Sequence, residues 1–289
     1  MVKSCFGTGF IYPVGAKERR GRLMAKRIIN KRQAKILKEL IELSHFLGNN
    51  SLQLTILGEG NTSAKVMDRG EQKSFLIKAS GTCLETIGAG EFVHLKLETI
   101  MRLLTIGNPT DDIIQEVFKE ALVDPNQTLR PSVETFLHAV CLAINGINFV
   151  GHTHPVSVGI LVCSKSFPEN LKGRIYPDEI VILGRESVFI PYTDPGVKLA
   201  QKIKRELDNF IKKHQQPPKA IYLQNHGLVA LGSSAKEVKN ITLTANKAAW
   251  IRIGASCLGG INLLTSQEVE HITKRLDEKY RQIFLTGEK

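Results

Sequence analysis

The run Ile147-Asn148-Phe149-Val150-Gly151-His152-Thr153-His154-Pro155 decides how the chain is to be read. Its apolar first half reads as a buried strand, and successive side chains on a strand point to opposite faces. His152 and His154 therefore project the same way, near enough to share one ion. A third histidine, His226, stands in Gln224-Asn225-His226-Gly227, directly after a second strand-like run, Ala220-Ile221-Tyr222-Leu223. Three neutral imidazoles with an open coordination position have the chemistry of a catalytic zinc-type site. Glu134, in Arg130-Pro131-Ser132-Val133-Glu134, is a carboxylate that could work beside such an ion. A His-x-His pair on a strand is by itself more often unliganded. His138, four residues after Glu134 on a predicted helix, offers either a second ligand arrangement or plain helix packing. His45, His94, His214 and His271 show no comparable pairing.

The 289 residues, 42% of them hydrophobic, are enough to bury a sizeable core in one large domain, or in one domain with extensions. No uninterrupted apolar run approaches the roughly 20 residues that cross a bilayer. Five scattered cysteines, Cys5, Cys83, Cys141, Cys163 and Cys257, form no CxxC pair, which argues for thiols in a reducing, cytoplasmic compartment.

The net charge of +11 is concentrated at one end. Residues 1–40 hold eleven Lys or Arg against Glu18 and Glu39, while the rest of the chain is nearly neutral. This arm has no zinc-finger spacing and no aromatic stacking pattern, so a nucleic-acid partner is not expected. Gly7, Gly9 and Pro13 interrupt the apolar stretch that a signal peptide would need. Residues 1–30 are therefore read as a basic, unstructured extension, and 31–289 as the folded domain. Inside that domain there is no internal repeat, no low-complexity segment and no further boundary.

Ile36, Leu37, Leu40, Ile41, Leu43 and Leu47 recur at helical spacing before the stop Gly48-Asn49-Asn50. Strands are expected at Leu52–Leu57 and Phe75–Ile77 around a turn at Asp68-Arg69-Gly70, then helices at about 95–105, 112–122 and 132–145, the last capped by Ser132. Beyond the histidine pair the pattern gives a helix over Pro155–Cys163, strands over Tyr176–Leu183 and Val188–Pro191, and a long helix to about Lys213. A strand-turn-strand through Leu231 and helices at about 235–256 and 266–284 complete it. Helices on both faces of one mixed sheet follow. Gly58-x-Gly60-Asn61-x-Ser63 and Lys78-Ala79-Ser80-Gly81-Thr82 place glycine and small polar groups where backbone amides and hydroxyls could meet an oxyanion, and the helix start at Ser132 is a third such place. Neither loop has a Walker lysine pattern or a complete GxGxxG, so nucleotide binding is not supported.

Taken in order, Gly60-Asn61-x-Ser63, Ser80-Gly81, Ser132-x-Glu134, His152-x-His154 and Asn225-His226-Gly227 resemble the class II aldolase/adducin family over about residues 32–257. The variants Gly-Glu-Gly-Asn-Thr-Ser and Arg-Pro-Ser-Val-Glu-Thr resemble in particular the aldolase portion of rhamnulose-phosphate aldolase/dehydrogenase-type proteins. This chain ends without a dehydrogenase segment. The resemblance implies a three-layer α/β/α sandwich around a mainly antiparallel central sheet, assembled as a homotetramer with sites at subunit interfaces. It implies His152, His154 and His226 as ligands of one divalent ion, typically Zn2+, with Glu134 as acid/base. Gly60, Asn61, Ser80, Gly81 and Ser132 would line the phosphate end of a sugar-phosphate substrate. The implied activity is that of an aldehyde-lyase cleaving a ketose or ketose phosphate through a metal-stabilised enediolate. The same enolate chemistry also serves epimerases, dehydratases and decarboxylases. A non-catalytic adducin-like interaction module is the alternative from another class, but adducin-type heads lack the metal histidines present here. In the family a tyrosine assists at the departing aldehyde, for which Tyr176 and Tyr192 are the nearest candidates. Small-sugar-phosphate aldolases of the family commonly carry a second serine where this chain has Val133.

Overall fold

Residues that alternate along the central strands divide between two hydrophobic cores, and this division sets the architecture. In the computed structural model, which describes residues 31–67 and 73–286, seven strands form one sheet: β1 (Asn61–Met67), β2 (Lys73–Lys78), β3 (Phe92–Lys96), β4 (Phe149–Thr153), β5 (Val188–Ile190), β6 (Ala220–Leu223) and β7 (Gly227–Gly232). Their order is β3-β2-β1-β4-β7-β6-β5, antiparallel throughout except for the β5/β6 pair. Val150, Val229, Leu231, Ile221 and Leu223 face one core, and Phe149, Leu228, Ala230, Ala220 and Tyr222 face the other.

On the first face lie α2 (Leu97–Leu103), α3 (Asp111–Ala121), α4 (Thr135–Ala143) and α7 (Val197–His214). On the second lie α1 (Lys31–Leu47), α5 (Val156–Val162), α6 (Pro177–Leu183) and α8 (Ala235–Cys257). The result is a three-layer α/β/α arrangement around a mainly antiparallel sheet. α1 buries Leu37, Leu40, Leu43 and Leu47, the stripe its spacing predicts. α9 (Ser266–Lys274) and α10 (Leu276–Thr286) follow as two helices rather than one, because Arg275 is extended between them at φ −61°, ψ 132°.

Four other expectations are corrected. Leu52–Leu57 is not a strand: Gln53 and Leu57 take φ of 51° and 52°, which breaks an extended run, and Ile56 and Leu57 are exposed. The strand is instead the polar Asn61–Met67, whose hydroxyls and amide find partners inside the protein. Tyr176–Leu183 is helical from Pro177, with proline in the first turn followed by Asp178 and Glu179, all good helix-start residues. The expected helix at 95–105 is preceded by the edge strand β3, whose His94 carbonyl accepts from Val123 N–H (3.0 Å). α4 begins at Thr135 with Glu134 at its cap position, while Ser132 Oγ accepts from Glu134 N–H (3.3 Å) one residue earlier. The turn at Asp68-Arg69-Gly70 and the basic extension 1–30 lie outside the described residues.

α6 and α8 are joined by a buried charge cluster. The Glu179 carboxylate lies 3.6 Å from Arg174 and 3.3 Å from Arg252, all three side chains being 2% exposed or less. Arg174 also donates to the carbonyls of Gly184 and Leu183, and Arg252 to those of Lys172 and Gly173. Removing the one anion leaves two buried guanidinium groups without a counter-charge. Glu179→Gln is expected to lower unfolding free energy in a urea titration by about 3–5 kcal/mol.

Candidate metal centre

β4 and β7 are hydrogen-bonded neighbours at the middle of the sheet, and their facing ends carry the histidines. His152 is the fourth residue of β4 and His154 follows the strand on the same face. His226 is brought alongside by the tight turn from Leu223 to Gly227, in which Asn225 takes φ 55°. His152 Nδ1 lies 3.0 Å from Leu228 O. A carbonyl can only accept, so this ring carries its proton on Nδ1 and turns the Nε2 lone pair inward. His152 Nε2 is 2.9 Å from His154 Nε2 and 3.2 Å from His226 Nε2. Glu134, from the loop ahead of α4, places Oε1 3.2 Å from His152 Nε2 and 3.0 Å from His226 Nε2.

That donor set fits one divalent ion. Bonds of about 2.0–2.1 Å to a tetrahedral centre imply ligand atoms about 3.3 Å apart, close to the separations here. Glu134 Oε1 is buried and has no hydrogen-bond partner. Converging lone pairs and a carboxylate oxygen repel one another unless a cation lies among them. Burial alone would push Glu134 up and His152 down, yet the charges on His152 and His226 hold the Glu134 carboxyl well below its usual range, and Glu134 in turn raises His152. His154 moves oppositely: burial, then the like charges of His152 and His226, push it down to about 3.

Two glycines let these elements approach. A Cβ on Gly227 would lie 2.5 Å from Thr153 O and 2.7 Å from His154 Cδ2. A Cβ on Gly60, which has φ +65°, would lie 2.7 Å from His152 O. The absence of a side chain at Gly60 thus lets β1 seat against the histidine strand. Asn61, the register partner of His152, is buried and donates from Nδ2 to Glu134 Oε2 (2.7 Å) and Ser132 Oγ (3.2 Å). Ser80 and Gly81 are exposed, and their loop is zipped to the one before Glu134 by Ser80 N–H to Arg130 O (2.8 Å) and Ser132 N–H to Lys78 O (3.2 Å). The residues named from the sequence therefore gather around the Glu134 loop.

Two neighbours, Lys78 and Glu59, have no role in the sequence reading, and a third, His138, is open there. Lys78 is buried and donates from Nζ to Gly58 O (3.0 Å); burial lowers its pKa, while Cys83 and Glu134 pull it back up. Its signal was a lysine closing an otherwise apolar strand. Glu59 Oε2 is 3.7 Å from His154 Nδ1. His138 is fully buried and contacts Ser63 and Asn61, resolving its sequence ambiguity against ligation. Of the tyrosines, Tyr192 is 61% exposed and bonded through its backbone N–H to Gln224, two residues before His226. Tyr176 lies under Lys247, its hydroxyl buried and unpartnered.

The family model described as "Class II Aldolase and Adducin N-terminal domain" matches residues 38–253, and the chain belongs to that family. An uncharacterized oxidoreductase, YuxG of Bacillus subtilis (strain 168), is 28% identical over 212 residues, covering 72% of this chain. The chain spans only 28% of that relative's length. Among solved structures, the N-terminal class II aldolase domain of a conserved protein from Thermoplasma acidophilum is 28% identical, with a TM-score of 0.61 over 78% of this chain and 98% of that one. An L-fuculose 1-phosphate aldolase shares the fold at 19% identity, with a TM-score of 0.61 over 89% and 99% of the two chains. Class II aldolases use a divalent metal, and the one group of histidine, cysteine and acidic side chains among the described residues with metal-binding geometry is His152, His154 and His226.

Two outcomes are expected. Gly227→Ala should displace the Thr153 carbonyl and the His154 ring and weaken divalent-metal binding by about tenfold, read by chelator competition, with far-UV circular dichroism unchanged. Burial, then the charge of His152, and against the pull of Glu134, hold His138 neutral down to about 3, whereas the unfolded imidazole titrates near 6.5. Between those values the unfolded chain binds more protons, so stability falls as pH falls. From pH 6.5 downward, the unfolding free energy of the metal-free protein should drop more steeply than that of His138→Gln, by up to about 1.4 kcal/mol per pH unit.

Proposed function

We propose that the chain is a metal-dependent aldehyde-lyase that cleaves a ketose or ketose phosphate by a retro-aldol step. One Zn2+ per subunit would be held by His152, His154 and His226. The observation that carries this reading is Glu134 Oε1, buried and unpartnered, facing the ring nitrogens at 3.0 and 3.2 Å. A divalent ion bound there supplies Lewis-acid stabilisation of the negative charge that develops on substrate oxygens as the carbon–carbon bond breaks.

The protein's own groups do the rest. As the carbon–carbon bond breaks, the substrate hydroxyl that becomes the aldehyde gives up its proton to the Glu134 carboxylate, which delivers it to the carbon left electron-rich; the synthetic direction reverses both transfers. Oε1 is the oxygen suited to this work, since Oε2 already accepts from Asn61. Ser80 and Ser132 offer hydroxyls and Gly81 its amide for the anionic end of the substrate, which Gly60 and Asn61 would also border. The Ser80 and Ser132 amides are already bonded to Arg130 O and Lys78 O, and Lys78 is in electrostatic contact with Glu134. Val133, 65% exposed, gives that end an apolar contact where a hydroxyl would otherwise stand. The fuculose 1-phosphate aldolase among the structural relatives supports a ketose 1-phosphate as the substrate type.

A homotetramer is supported by exposed apolar residues on the segments that flank the site, namely Ile56, Leu57, Val133, Val156 and Ile160. The four described cysteines are free, which suits a cytoplasmic protein. No helix among the described residues is long and apolar enough to cross a membrane.

The test is Glu134→Gln assayed against a panel of ketose phosphates for aldehyde release, with metal content measured in parallel. The expected result, at saturating zinc, is a fall in kcat of about a thousandfold with the ion still bound by the three histidines, though less tightly. Substantial retained cleavage would overturn the assignment, and an epimerised or decarboxylated product would redirect it within the family.

A further inference from the structure

His138 stands in a one-way chain of hydrogen bonds that starts at Ser63 and ends on Glu134. A carboxylate can only accept, so Glu134 Oε2, 2.7 Å from Asn61 Nδ2, fixes which way the Asn61 amide points. Asn61 Oδ1 is then turned to His138 Nε2, its short-range partner, and a carbonyl oxygen there requires the Nε2–H tautomer. The other ring nitrogen, Nδ1, becomes an acceptor, satisfied by the Ser63 hydroxyl at 2.6 Å. Every donor along Ser63, His138, Asn61 and Glu134 is consumed in one direction, and all four side chains are buried.

This chain makes the two oxygens of Glu134 unequal. Oε2 is held by an amide that cannot turn without losing the His138 bond, so Oε1 is the oxygen left to face His152 and His226. Ser132 reinforces the same orientation, since its Oγ receives the second Asn61 bond. Helix packing alone would leave an imidazole at this place free to be replaced by any side chain of similar bulk. Buried polar groups with both ring nitrogens engaged are instead specific in direction.

We propose that His138 is a positioning residue for the metal and proton-transfer site, acting through Asn61 to hold Glu134 with Oε1 turned to the three histidines. The inference rests on the metal-dependent reading above and deepens it. It assigns His138 no contact with substrate or ion.

The test is a double-mutant cycle read as zinc affinity by chelator competition, accompanied by kcat and KM on any ketose that the parent cleaves. Asn places its amide where Nδ1 stood and loses the bond to Asn61, whereas Gln places its amide near Nε2 and can keep it. His138→Asn and Asn61→Ala should each weaken zinc binding by about tenfold, with kcat falling and KM little changed. The double variant should be no weaker than Asn61→Ala alone, because both changes break the same chain. His138→Gln should stay within about threefold of the parent. Should His138→Asn fail to fold, Ser63→Ala is the second probe: it should weaken zinc binding several-fold in the parent and not at all in the Asn61→Ala background. Parental zinc affinity in His138→Asn or, if that variant does not fold, in Ser63→Ala overturns the inference, as do losses that add in the corresponding double variant. A parent that binds zinc but cleaves no ketose overturns the proposed lyase alone, with the affinities still deciding His138. A parent that binds no zinc overturns both.

Discussion

Converging three imidazole lone pairs and a carboxylate oxygen within about one ion's reach is the constraint on which the rest of the structure depends. Like-signed atoms do not gather unless covalent geometry and packing force them together. Here the force comes from three independent pieces of backbone: the end of β4, the turn into β7, and the loop ahead of α4. The turn into β7 meets the end of β4 at Gly227, and β1 meets β4 at Gly60, two glycines with no room for a side chain. The sheet register then carries the donors to one point, since Asn61 pairs with His152 and Thr153 with Leu228.

Much of this was legible in the residues. Alternation in Phe149-Val150 and Ala220-Ile221-Tyr222-Leu223 gives two central strands, and spacing in Ile36 to Leu47 gives a helix with one apolar stripe. The sandwich and its antiparallel sheet were anticipated from the family resemblance and agree with the observed order and pairing. What misled was polarity in the wrong place. Asn61-Thr62-Ser63 reads as a turn because small polar residues usually face water, but here each is buried with a partner from another element: Glu134, Ser44 and His138. Those partners are 18 to 75 residues away, beyond any local window. The apolar Leu52–Leu57, by contrast, lacks any strand to pair with, and its exposed Ile56 and Leu57 look like core only when read without neighbours. Tyr176–Leu183 fails differently: a short apolar run is compatible with either period, and Pro177 with two acids behind it decides for the helix.

The family match stops at residue 253, while α9 and α10 lie beyond it at 266–286. They are not loosely appended. Leu264 N–H donates to Arg174 O (2.8 Å), Arg185 pairs with Glu270 (2.7 Å), Arg281 pairs with Asp178 (2.7 Å) and Gln282 bonds to Val181 O (3.2 Å). The same Arg174 anchors the buried cluster with Glu179 and Arg252. Through that cluster the C-terminal helices are continuous with α6 and α8, the layer on the opposite side of the sheet from Glu134.

The position of β4 and β7 within the sheet has a kinetic consequence. Each has a hydrogen-bonded strand on both sides, and the nearest edge strand is three positions from β4 and two from β7. Thermal fluctuations open a sheet from its edges inward, so the strands bearing the histidines belong to the segments whose amides exchange with solvent slowest. An ion among those histidines would then come and go past the partly exposed His154 and His226 side chains, at a rate set by side-chain motion and not by unravelling of the sheet.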